Sequence, residues 1–241
     1  MKTMFKSRLL LSVVLLFIAT LATAQVEFPE NATTHIVKGR NGWMMNQTLS
    51  FGPYESGKVK RSWTSAPSFE FVVRLAKAKE KFRFELADDQ GNSSEVFMSG
   101  ELKRKELPIF DGSMSLMLPD EDIFAGVIFV NQVQEPWEFY LENPNKQTVM
   151  EKVNGQISNG QETIQIEESR YISGGKKPYI GGQALAFKFV QDGKVLGVVE
   201  VINKGKVILD ESLSTEQKFV LANAASAILL QQNLMDTVEN N

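Results

Sequence analysis

Ser214-Thr215-Glu216-Gln217-Lys218-Phe219-Val220-Leu221-Ala222-Asn223-Ala224-Ala225-Ser226-Ala227-Ile228-Leu229-Leu230 is the stretch on which the fold turns. Ser214 with Gln217 three residues later is a capping-box signature. Glu216 sits in the first turn, where a negative charge suits the helix dipole. Four alanines favour helix, and no charge appears between Lys218 and Asp236. The pattern predicts a C-terminal helix over 215–235, about 30 Å long. A helix lying on one sheet face carries an apolar stripe and a charged face. This one is apolar nearly all round and has to be surrounded. It can run through a closed barrel, pack across the open face of a sandwich, or enter a membrane. The short apolar run and Gln231-Gln232-Asn233 argue against the membrane.

Working back along the chain, the dominant pattern is period two. Phe82-Arg83-Phe84-Glu85-Leu86, Phe69-Glu70-Phe71, Leu185-Ala186-Phe187-Lys188-Phe189, Trp137 to Glu142 and Thr163 to Glu167 alternate apolar with polar residues. Such alternation marks strands with one buried and one wet face. Asp88-Asp89-Gln90-Gly91-Asn92, Asp111-Gly112, Asn154-Gly155, Asn159-Gly160 and Asp192-Gly193 read as turns between them, and Val195–Ile202 pairs with Lys206–Leu209 across Asn203-Lys204-Gly205. The expected fold is mainly β: roughly twelve antiparallel strands in a barrel or sandwich with one hydrophobic C-terminal helix. Residues 25–241 form a single domain, in which Arg170–Gly182 is a long surface loop.

The tail resembles the end of the tubby C-terminal-like superfamily, which includes the phospholipid scramblases and the plant LURP-one-related proteins. The resemblance is carried by Phe187 to Gly197 with its Asp192-Gly193 turn, then Lys206-Val207-Ile208-Leu209, then Phe219 to Leu230. Phe51-Gly52-Pro53-Tyr54 followed by Lys58-Val59-Lys60-Arg61 is similar to an early strand pair of that family. The resemblance implies a twelve-stranded barrel wrapped around a hydrophobic C-terminal helix. Tubby proteins bind phosphoinositides through basic side chains. That ligand is not expected outside a bacterial cell and does not transfer.

Export is the expectation for compartment. Lys2, Lys6 and Arg8 precede a nearly continuous apolar run from Leu9 to Leu21, and Ala22-Thr23-Ala24 offers small residues for cleavage before Gln25. Residues 1–24 therefore read as a cleaved signal peptide. The chain has no cysteine, which excludes a lipid-attachment thiol and a disulfide framework and favours a bacterial periplasmic or secreted protein. Without the leader, 23 basic side chains face 29 acidic ones, a net charge of −6. That balance argues against nucleic-acid binding. No later segment is long and apolar enough to span a bilayer.

Catalytic and metal chemistry find little footing. His35 is the one histidine, with no G-x-S-x-G elbow to serve, and reads as a solvent-facing strand residue. Asp88, Asp89 and Asn92 lack the alternation of a calcium loop and read as a turn. No metal or cofactor is expected. The binding candidates are the basic runs Lys58, Lys60, Arg61 and Lys103, Arg104, Lys105, with Lys176 and Lys177 in the Gly-rich loop. They suit an anionic lipid or polyanionic glycan surface, where each Lys or Arg is worth about 1 kcal/mol. The same runs also fit a solvated strand face.

Two function classes remain. One is a non-enzymatic β-barrel serving as a binding or envelope-associated module. The other is a carrier whose barrel interior holds an apolar small molecule or lipid. A hydrolase built on carboxylates without a linear motif is a more distant third. The place of the terminal helix separates the first two.

Overall fold

A computed structural model describes residues 28–40, 47–61, 80–102, 123–132, 135–142, 153–173 and 184–231. In chain order the strands are β1 (Ala32–Ile36), β2 (Ser50–Phe51), β3 (Tyr54–Ser56), β4 (Lys60–Arg61), β5 (Glu80–Ala87), β6 (Ser93–Leu102), β7 (Ile123–Val130), β8 (Trp137–Glu142), β9 (Asn154–Ser158), β10 (Thr163–Ser169), β11 (Ala186–Gln191), β12 (Lys194–Glu200) and β13 (Lys206–Asp210). Helix α1 (Thr215–Leu230) follows. Residues 1–24, the expected signal peptide, the Phe69-Glu70-Phe71 run, the Asp111-Gly112 pair and most of the Gly-rich loop lie outside the described residues.

One antiparallel sheet holds every strand among the described residues. Twelve lie on a single path, β1-β13-β12-β11-β10-β9-β8-β7-β6-β5-β3-β2, and β4 pairs with β5 beside it. The path bends round until its ends meet. Just past β1, Lys38 and Ser50 exchange both backbone hydrogen bonds, at 2.9 and 3.1 Å. This single bridge makes the barrel nearly closed, which relieves a sheet of most of its unpaired edge.

Turn chemistry sets most of the register. Asp192 (φ 51°) and Gly193 (φ 77°) form the two-residue turn between β11 and β12, with positive φ at both positions as a primed hairpin turn requires. Before β13 the Gly205 amide donates to the Ile202 carbonyl oxygen at 3.0 Å, closing a different turn in which Asn203 and Gly205 take positive φ. Asn154-Gly155 is different: the expected turn is the start of β9. Gly155 is paired on both sides, to Leu141 and Ile166, and a Cβ there would stand 2.6 Å from the carbonyl oxygen of Tyr140. The glycine serves close strand packing rather than a change of direction.

The inner face carries Phe82, Phe84, Phe124, Phe139, Phe187 and Phe189 in one continuous apolar core. α1 runs through it. All twelve residues from Phe219 to Leu230 are fully buried, so beyond its first turn no side of the helix meets water. The helix packs against β12 and β13 and also against β6 and β7, which stand on opposite sides of the ring of strands. It therefore fills the lumen. The capping box forms, with the Gln217 amide donating to Ser214 Oγ at 3.1 Å. The helix ends at Leu230, with Gln231 extended. Residues 232–235 of the expected span lie outside the described residues.

The expectation of one wet face holds for β5 and β10 and fails for β8 and β11, each buried on both faces but for one half-buried residue; β7 and β12 are buried on both faces as well. On the outside of β11–β13, Ala186, Val190, Val195, Val198 and Ile208 form a second apolar cluster with Phe28 against it. Burial on both faces produces near-continuous apolar runs such as Ile123–Val130. No helix among the described residues is long and apolar enough to cross a membrane.

Candidate binding surface

The strand alternation decides which basic residues share a surface. Lys60 and Arg61 are neighbours in sequence, so they point to opposite faces of the sheet. Arg61 lies opposite Phe82, on the inner face. Its Nη2 donates to the Leu230 carbonyl oxygen at 3.3 Å, and its guanidinium stands 5.7 Å from the Phe82 ring centre. Its charge is spent on the end of α1. Lys58 and Lys60 are exposed on the outer face, where Lys60 lies opposite Arg83. Lys103, Arg104, Lys105, Lys176 and Lys177 lie outside the described residues.

Around Lys58 and Lys60 the outer face is grooved. A cleft of about 250 Å³ is lined by Gly57, Lys58, Lys60, Arg83, Glu85 and Glu95 among others. It adjoins a cleft of about 750 Å³ whose walls include Glu55, Glu85, Leu86, Glu95, Phe129 and Gln132. Gly57, Glu85 and Glu95 line both, and the two adjoining clefts together make up a β3–β7 channel. The register arranges the charges in rows. Lys60 and Arg83 make a cationic row. Glu85 and Glu95 lie directly opposite each other in the next outward-facing row, and Phe129 continues it on β7. Two like charges facing across a strand pair are unfavourable by a few tenths of a kcal/mol up to about 1 kcal/mol. Arg83 relieves this in part, its Nη1 standing 3.7 Å from Glu95 Oε1.

Arg83, Glu85, Glu95, Glu55 and Phe129 were not singled out from the sequence. The signal for Arg83 and Glu85 was present: they are the polar positions of the alternating run Phe82–Leu86. Joining them to Lys60 and Glu95 needs the strand pairing, which no linear motif carries.

The remaining polar groups hold the barrel together. At the mouth where α1 ends, Arg40 Nε donates to the Leu229 carbonyl oxygen at 3.0 Å, and its Nη1 reaches the carbonyls of Val201 (2.5 Å) and Asn203 (3.2 Å). Burial pushes this guanidinium down to about 10, because the charged form loses water. In the middle of the helix, Ser94 Oγ donates to Asn223 Oδ1 at 2.5 Å, and Asn223 Nδ2 donates to Phe219 O at 2.8 Å. At the seam, His35 is half-buried rather than solvent-facing, with its ring against Gly52. Partial burial lowers its pKa, and Glu211 opposes the shift. Asp88 forms the expected turn, accepting from the amides of Gln90 and Asn92. Among the described residues no three His, Cys, Asp or Glu side chains are placed to hold a metal ion.

Comparison with known proteins closes no gap: no family model, curated protein or solved structure matches this chain.

Proposed function

We propose that this chain is an exported, non-enzymatic binding or envelope-associated module of tubby-like plan, which meets its ligand on the outside of the barrel at the β3–β7 face. One observation carries the reading: α1 occupies the lumen with every residue from Phe219 to Leu230 buried. A lumen filled at the packing density of a protein interior has no room for the apolar molecule a carrier would hold. Ligand contact then falls to the surface, and the channel around Lys58 and Lys60 offers convergent charged groups beside apolar wall. The tubby-like plan is supported by the twelve-strand path and the helix at its centre. The export signal supports a site of action beyond the cytoplasm.

Two measurements test it. Amino-terminal sequencing of the protein from its natural host is expected to begin at Gln25, and an intact leader on the cellular protein contradicts export. Native mass spectrometry is expected to give the bare polypeptide mass. A stoichiometric apolar adduct, with a photo-crosslinker at Lys60 forming no products in the envelope fraction, overturns the surface reading in favour of the carrier.

A further inference from the structure

The channel on the outer face is electrically two-signed, and this narrows what fits it. Its walls carry three cations, Lys58, Lys60 and Arg83, and three carboxylates, Glu55, Glu85 and Glu95. Among the described residues only Arg83 and Glu95 of these six form an ion pair. A uniformly anionic lipid or glycan would gain at Lys58 and Lys60 and lose at the three glutamates. A polycation would meet the reverse. Only a ligand bearing both signs at the right separation satisfies the channel.

The fold sets that separation. Arg83 and Glu85 are two residues apart on β5, and outward side chains on one strand repeat at about 6.7 Å. The cationic row and the carboxylate row are therefore spaced as alternate side chains of an extended peptide are. A peptide lying along β5 with an acidic residue at one position and a basic residue two positions on would place its acid at Lys60 and Arg83. Its base would then lie between Glu85 and Glu95, separating two carboxylates that otherwise face each other. A zwitterionic phospholipid headgroup carries its charges closer together than this spacing.

Resting on the surface reading above, we propose that the β3–β7 channel binds an extended peptide segment of the pattern acidic–x–basic. The probe is the capped peptide Ala-Asp-Thr-Lys-Thr-Leu-Ala, titrated into the ¹⁵N-labelled protein and followed by amide shifts. Companion peptides carry two acids, two bases, or the acid and base adjacent, which sends them to opposite faces of a strand. The mixed peptide is expected to shift Lys60, Arg83, Glu85 and Glu95 saturably and to bind about tenfold tighter than each companion. Its affinity should weaken in high salt, and Glu85→Gln with Glu95→Gln should remove the advantage of the mixed peptide over the two-acid one. Equal binding of all four peptides, or no saturable shift, overturns the proposal. So does flotation with phosphatidylethanolamine vesicles without peptide binding, which leaves the surface reading standing with a lipid as its ligand. A stoichiometric apolar molecule in the native mass spectrum is the separate result that removes the surface reading itself.

Discussion

Arg40 Nε lies 3.0 Å from the carbonyl oxygen of Leu229, a residue 189 positions away, and the same guanidinium holds the carbonyls of Val201 and Asn203. A helix leaves its last four carbonyls without partners, and α1 has no basic residue in its last turn. Arg40 and Arg61 supply from the barrel wall the cations that its negative end favours. Arg40→Met is expected to lower stability in urea unfolding by about 2–3 kcal/mol, the scale of lost hydrogen bonds to a charged donor. Arg40→Lys should recover only part, because a point charge cannot reproduce the fork.

Ser94 and Asn223 tie the wall to the middle of the helix. Ser94→Ala leaves Asn223 Oδ1 buried without its donor and should cost about 1–3 kcal/mol. Adding Asn223→Leu removes the stranded acceptor, so the double variant should be more stable than the sum of the two single changes predicts. Strict additivity in denaturant melts would show that the two side chains are not coupled.

The alanines of α1 reflect how narrow the lumen is. Ala222, Ala224, Ala225 and Ala227 are fully buried against the strands. Ala225→Leu is expected to cost about 1–3 kcal/mol through overpacking, measured as a lower urea midpoint with an unchanged slope. A neutral or stabilising effect would reveal unfilled space beside the helix.

Acid should weaken the fold in two windows. The folded His35 pKa lies below its ordinary 6.5, so the unfolded chain takes up that proton first. Its contribution is complete above 6.5 and declines as pH falls below it. Asp210 is held at about 2, against an ordinary 3.8, chiefly by its hydrogen bond from Lys194 and then by the Ser212 amide. That contribution is present above 3.8 and is lost as pH falls toward 2. Urea midpoints against pH should show both slopes, and His35→Asn should erase the upper one alone.

Much of the architecture could be read from local chemistry. The capping box, the chargeless run and the Asp-Gly and Asn-Gly turns at 192–193 and 159–160 each specify their own conformation without distant help. What could not be read depends on neighbours. Asn154-Gly155 has the composition of a turn, and only its pairing with Leu141 on one side and Ile166 on the other makes it strand. Lys60 and Arg61 look like one basic patch until the pleat sends one to water and the other to the Leu230 carbonyl. The charged channel joins residues from β3–β7 through pairings such as Glu85 with Glu95, and a pairing leaves no mark in either strand alone.

Native-state hydrogen exchange of the amides from Phe219 to Leu230 tests the central claim most directly. If the barrel encloses the helix, those amides exchange only through global unfolding, with a free energy equal to that from urea melts and the same denaturant slope. Exchange of the helix at distinctly lower free energy, with the strands still protected, would mean that it lies on the outside and can leave.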